Sequence, residues 1–193
     1  MSNPEHEQII RHGYAVAEAM DVPGFVNTFT PDGTFTDEAF GNVFTGPKEL
    51  AIMLQVFGSA FPDMHRELHR FYSVDDMVIV ELALQGTHNG PLAVPGGLIP
   101  PTRKRMNAPC CDVFRIVDGR IKTFNCYWSA ATVLAQLGVL GNLEGAVKKA
   151  TDPSDTWLAA CARGDHRCRS ERRLPPFILS RNPSPLAHVR DAP

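Results

Sequence analysis

Two ionisable side chains stand in rows of residues that are otherwise apolar, and together they could move a proton. In Met77–His88 one alternate set is Val78, Val80, Leu82, Leu84, Gly86 and His88; the other is Met77, Ile79, Glu81, Ala83, Gln85 and Thr87. In Arg103–Val117 one set is Met106, Ala108, Cys110, Asp112, Phe114 and Ile116, and the other contains Arg103, Arg105, Asn107, Cys111 and Arg115. Alternate residues of a strand share a face. Asp112 therefore falls inside an apolar row and His88 ends one. A carboxylate among apolar neighbours is costly to bury unless it is paired, wetted or protonated. Its pKa would rise, so that it exchanges protons nearer neutral pH. Such a group is a candidate general acid or base. The plainer readings are a buried hydrogen bond or an outward bulge for Asp112, and a hydrogen-bonded strand-end histidine for His88.

Other candidates are weaker. His65, Glu67 and His69 alternate on one strand face, opposite Arg66, Leu68 and Arg70. Two histidines four apart on a strand are about 13 Å apart, too far for one metal, so this reads as a solvated face. His6 and His12 read as surface residues of a helix. Asp37 and Glu38 are adjacent and so point apart. Tyr14 either carries a phenol to a cavity or packs in the core. The five cysteines, Cys110, Cys111, Cys126, Cys161 and Cys168, show no disulfide framework and no Cys-x-x-Cys zinc pair. Reduced thiols in a cytoplasmic protein are expected, with no metal and no cofactor. Gly90 to Gly97 carries too much proline for a phosphate loop, and no Gly-x-Ser-x-Gly elbow occurs.

The elements that must position these residues can be read from periodicity. Ile9, Ile10, Gly13, Tyr14, Ala17 and Met20 recur at steps of three and four, which predicts a helix over Glu5–Met20. Asp21 caps a short second helix with Pro23 in its first turn. Pro31-Asp32-Gly33 predicts a turn before a strand over Thr34–Asp37. Gly46-Pro47 opens a third helix to about Phe61. The period then changes to two: strands are expected over Met64–Phe71, Met77–His88, Arg103–Val117 and Arg120–Trp128, with a loop over Asn89–Thr102 and an Asp118-Gly119 hairpin. Val133–Leu140 closes as a helix, with Gly141 beyond it. This order predicts an α+β fold, helices against one face of a curved antiparallel sheet.

Length and composition set the outer limits. The chain has 193 residues, 44% hydrophobic and 21% charged, with a net charge of −2. These are globular values. The near balance of charge argues against a nucleic-acid partner, and neither a membrane span nor a secretory leader is expected. Residues 1–150 form the expected domain. Residues 151–193 hold seven Arg, no Lys and six of the sixteen Pro, and read as a poorly ordered tail, with a basic partner-binding arm as the alternative.

Phe61-Pro62-Asp63-Met64, Gly86-Thr87-His88-Asn89-Gly90, Ile99-Pro100-Pro101-Thr102 and the run from Asp112 through Asp118-Gly119 to Ile121 together resemble the SnoaL-like polyketide cyclases, within the nuclear transport factor two-like superfamily. The resemblance spans roughly residues 5–140. It implies a cone-shaped α+β barrel, often a homodimer, with three to four helices on the concave face of the sheet. It also implies cofactor-independent ring closure by intramolecular aldol chemistry in secondary metabolism, such as antibiotic biosynthesis, classed as isomerase or lyase. Asp112 would be its acid/base and His88 its partner. Tyr14, Phe29, Leu82, Phe114, Asn125 and Trp128 would hold the substrate. Where many relatives end the last strand His-Trp-Asp, this chain has Phe124-Asn125-Cys126. A non-catalytic small-molecule binder with the same pocket is the alternative. Epoxide hydrolysis is a third possibility, for which the chain offers few inward carboxylates. Met77, Ile79 and Ala83, or Cys111 and Val113, would make the outer sheet face apolar enough to favour a homodimer.

Overall fold

The computed structural model describes residues 4–141 apart from Gly96. The compact unit closes at Gly141; the tail expected over 151–193 lies outside the described residues. None of the described helices is long and apolar enough to cross a membrane.

Helix α1 (Pro4–Glu18) forms where Ile10, Gly13, Tyr14 and Ala17 recur at helical spacing, and these four are its buried stripe. It stops two residues short of expectation, and Met20 takes a positive φ of 55°. Helix α2 (Val22–Asn27) starts as its sequence implies: the Asp21 carboxylate accepts from the Gly24 amide at 3.0 Å. Strand β1 runs over Phe29–Asp37 and so contains the expected Pro31-Asp32-Gly33 turn. Those residues produce a register shift between Phe29 and Thr34 instead of a reversal. Strand β2 (Asn42–Thr45) pairs back on β1, and α3 (Gly46–Ala60) follows with Leu50, Met53 and Leu54 buried.

Strands β3 (His65–Val74) and β4 (Met77–Thr87) form a hairpin. The expected loop holds a small second hairpin, β5 (Leu92–Val94) with β6 (Gly97–Ile99). Strands β7 (Arg105–Val117) and β8 (Arg120–Trp128) are joined through Asp118 and Gly119, both at positive φ. Helix α4 (Ala130–Leu137) begins and ends three residues earlier than expected, because Gly138 at φ 74° supplies the left-handed cap.

The six strands of the main sheet order as β2-β1-β8-β7-β4-β3, antiparallel except for β1 with β8. Strands β2 and β3 are the two edges, so the curved sheet is not closed by hydrogen bonds. The result is an open cone-shaped α+β fold. Its inner rows are those the alternation implied: Val78, Val80, Leu82, Ala108, Phe114 and Ile116 are all at most 4% exposed. Phe124 packs against Phe35 edge to face and against Phe114 at a tilt, with the Phe114 and Phe124 centroids 4.2 Å apart. Pro109 sits within β7 without harming the ladder to β4. Its carbonyl accepts from Ser129, so its missing N–H falls on the side of β8, which has already ended at Trp128. The outer face carries a register row of Tyr72, Ile79, Val113 and Asn125.

Candidate functional site

A cavity opens between the helices and the concave side of the sheet. Helix α1 contributes Ile10, Gly13, Tyr14 and Ala17, and α3 contributes Met53, Leu54, Phe57 and Gly58. Within each set the residues recur at steps of one, three and four, which keeps them on one helical face. The sheet adds Arg66, Asp112, Phe114, Phe124, Cys126 and Trp128. Glu18, Met20, Phe57, Gly58, Pro62, Met64 and Arg66 are the lining residues that keep some solvent exposure, and they mark the mouth. Met20 closes over Gly58: a Cβ at position 58 would collide with the Met20 thioether. The free volume is about 70 Å³. Ligand sites usually offer roughly 300–1,000 Å³, so a ring-bearing molecule needs the Met20 side chain to swing aside.

Asp112 lies at the base of this cavity and is 1% exposed. The Tyr14 hydroxyl donates to its Oδ2 at 2.7 Å, and the Cys110 thiol donates to its Oδ1 at 3.2 Å. Cys126 stands directly across from Asp112 in the β7–β8 register, its Sγ 3.6 Å from that of Cys110. Burial pushes the Asp112 carboxyl above the usual carboxylate range; the Tyr14 hydroxyl, the Cys126 thiol and the Arg66 charge pull it partly back. Burial, and then the Asp112 charge, hold the Tyr14 phenol well above its ordinary value, so Tyr14 remains a donor. The alternation placed Asp112 correctly, and it is neither turned out by a bulge nor left without partners.

Arg66 is a site residue that sequence reasoning missed. Its side chain is 13% exposed and lines the cavity. The guanidinium lies 5.3 Å from the Tyr14 ring centroid and 3.8 Å from Glu18 Oε1. The available signal was Leu68 two residues on, an apolar neighbour on the same face before the register shift at His69.

His88 departs from expectation. It is buried at the end of β4, yet it is not among the residues that line the cavity. Phe61, which does line it, lies against the imidazole with centroids 5.4 Å apart. The Thr102 amide donates to Nδ1 at 3.2 Å, which places the ring proton on Nε2, a buried atom without a hydrogen-bond partner. Burial lowers the His88 pKa. The ring is therefore a neutral clamp between β4 and the segment carrying Thr102.

Of the expected substrate contacts, Tyr14, Phe114 and Trp128 line the cavity. Phe29 and Leu82 are core residues at 2% exposure each and do not line it. Asn125 points to the opposite face of the sheet, because its neighbours Phe124 and Cys126 take the inner positions. Asp37, read as one of two diverging acids, is buried and accepts from Trp128 Nε1 at 2.7 Å, fixing the indole that forms part of the wall.

The SnoaL-like domain model matches residues 10–124. Among solved structures, a protein from Catenulispora acidiphila DSM 44928, described as having a ketosteroid isomerase-like fold and bound to trimethylamine, is 21% identical at a TM-score of 0.58, covering 68% of this chain and 92% of that one. A candidate SnoaL-like polyketide cyclase from Jannaschia sp. CCS1 is 17% identical at a TM-score of 0.63, covering 69% and 92%. IdmH from Streptomyces antibioticus, a candidate polyketide cyclase, is 23% identical at a TM-score of 0.58, covering 69% and 99%. At these identities the likeness is one of fold. No curated protein matches the sequence. The matched stretch takes in both the Tyr14 helix and the Asp112 strand, and on that basis the chain belongs to the SnoaL-like domain family.

Proposed function

We propose that this protein is a cofactor-independent cyclase or isomerase that works by proton transfer on an apolar, carbonyl-rich small molecule of polyketide type. The observation that carries the reading is Asp112, a carboxyl group of raised pKa at the base of an apolar cavity, held by a phenol that does not ionise. The Asp112 carboxylate removes a proton from a carbon flanked by carbonyls, and the C–H electron pair becomes an enolate. The enolate carbon attacks a second carbonyl of the same molecule. The alkoxide so formed takes back the proton held by Asp112, which regenerates the carboxylate and leaves the product neutral. Tyr14 fixes the carboxyl orientation. Arg66, the cation on the cavity wall, is the candidate partner for the developing oxyanion. In this scheme His88 is a positioning residue that braces the β4 end.

The experiment is solvent deuterium exchange into a panel of cyclisable 1,3-dicarbonyl compounds, followed by NMR on chelator-treated protein. Wild type should exchange the activated C–H faster than protein-free buffer does, and Asp112→Asn should fall to the buffer rate. Equal exchange by both would remove the acid/base role, and binding without exchange would favour the ligand-binding alternative. We also propose a cytoplasmic homodimer. It would be formed through the outer face, where Tyr72, Ile79 and Tyr127 are 43%, 38% and 49% exposed. Ala83, counted with that face, is instead buried.

A further inference from the structure

We propose that Cys110, Asp112 and Cys126 form a binding site for one soft divalent cation of the zinc class. The inference goes beyond the proton-transfer reading and does not depend on it.

The three donor atoms lie within 4.8 Å of one another and all three residues are buried. The backbone accounts for their meeting. Cys110 and Asp112 are two apart on the inner face of β7, and Cys126 is the β8 residue across from Asp112. The spacing fits a tetrahedral ion. Zinc–sulfur bonds of about 2.3 Å and zinc–oxygen bonds of about 2.0–2.2 Å imply S···S edges near 3.8 Å and S···O edges near 3.5 Å. The corresponding distances here are 3.6 Å between the sulfurs and 3.2 Å from Cys110 Sγ to Asp112 Oδ1. The third edge, from Cys126 Sγ to the Asp112 carboxylate, is within 4.8 Å and shortens toward about 3.5 Å when the ion binds.

The carboxylate is already oriented for this role. Oδ1 faces the thiol, while Tyr14 holds Oδ2 at 2.7 Å, the kind of outer hydrogen bond that aims a ligating carboxylate. Two sulfurs and one oxygen select zinc or cadmium over magnesium or calcium. Binding forms two metal–sulfur bonds and one metal–oxygen bond. It releases both thiol protons, and the Asp112 proton from molecules that carry one, so no oxidant or reductant is involved. The bound cluster has a net charge of −1, which Arg66 on the same cavity wall opposes. Asp112 and Cys126 both line the cavity, so the fourth coordination position faces open space. A bound cation occupies the carboxylate needed as a base and therefore blocks proton transfer.

The test is a cadmium titration of the full chain, reduced and chelator-treated, in a Cys111→Ser/Cys161→Ser/Cys168→Ser background that leaves the two cluster thiols. The readout is the ultraviolet cadmium–thiolate charge-transfer band. The expected result is saturation at one cadmium per chain, with affinity reduced at least about 10-fold by Cys110→Ser, by Cys126→Ser and by Asp112→Asn. Asp112→Asn leaves both thiols in place and keeps the test decisive if a cysteine variant fails to fold. Absence of the band at stoichiometric cadmium overturns the proposal, as does a band unchanged in Cys126→Ser or in Asp112→Asn. The deuterium-exchange assay is run on chelator-treated protein, so its failure and this one are told apart.

Discussion

Asp37 and Asp112 are each 1% exposed, and each stands on the sheet that carries the cavity, yet they are built for opposite ends. Asp37 takes its hydrogen bonds from the Trp128 indole at 2.7 Å, the Ala39 amide at 3.2 Å and the Asn42 side chain at 3.4 Å. None of these donors gives up its proton in water, and Asp37 does not line the cavity. Asp112 is satisfied by a phenol and a thiol, whose hydrogens rotate, and its remaining side is open to the cavity. Burial alone does not make a carboxylate an acid/base group. What separates the two is the kind of donor that satisfies each one and whether a substrate atom has room to approach.

The largest effect that would test this contrast is kinetic. Asp112→Asn should lower turnover of the true substrate by about 100- to 10,000-fold with ligand affinity retained, as single-turnover kinetics beside a binding titration would read. Next comes stability. Asp37→Ala strands the buried Trp128 N–H and should cost about 1–3 kcal/mol in denaturant unfolding, while turnover per folded molecule stays near wild type. A turnover loss matching that of Asp112→Asn would erase the distinction between the two acids.

Tyr14→Phe should come third, lowering turnover at neutral pH roughly 10-fold, the scale of one hydrogen bond to a charged group. The Tyr14 hydroxyl lowers the Asp112 pKa, so its removal should move the acidic limb of the pH–rate profile upward. A limb that stays in place would mean that Asp112 does not set it. The smallest effect concerns pH and stability. The Asp112 pKa is raised above its ordinary 3.8 on folding, so the unfolded chain releases this proton first as pH rises. Wild type keeps the full contribution below about pH 3.8 and loses it as pH climbs through the folded-state value. The Tm of Asp112→Asn relative to wild type should therefore increase between pH 3.5 and pH 7; a constant difference would deny the shift.

Much of the fold could be read from two periods. Alternation in β4 and β7 assigned the faces of Val78, Val80, Leu82, Asp112 and Phe114, because one sheet face is covered and parity then has a physical meaning. Parity failed where chain irregularity intervened. Pro31-Asp32-Gly33 carries turn chemistry but is spent on a bulge, and β2 is too short to show a period. Asn125 was assigned to the cavity although its inward neighbours Phe124 and Cys126 force it outward. His88 was placed on the correct face, but a face is not a cavity: the Phe61 ring beside it comes from the end of α3, and no spacing in one strand reports what another element lays over it. Arg66 was hidden because a cation on a strand reads as solvated, although its stem can line an apolar wall. The Cys110–Asp112–Cys126 cluster needed the β7–β8 register, which separates its members by up to sixteen positions in the chain.

The Met20 side chain resting on Gly58 also determines how quickly the cavity can be reached. It is 37% exposed and is held by dispersion alone, with an unbranched stem of freely rotating bonds. Such a side chain changes rotamer in picoseconds to nanoseconds, whereas a hinged loop takes microseconds or longer. Ligand capture would then be governed by diffusion, not by opening, and the aperture would adapt to molecules of different outline. The same sulfur is the weak point of the doorway: oxidation to the sulfoxide would set a polar, chiral group across an apolar throat and slow capture until a reductase removed the oxygen.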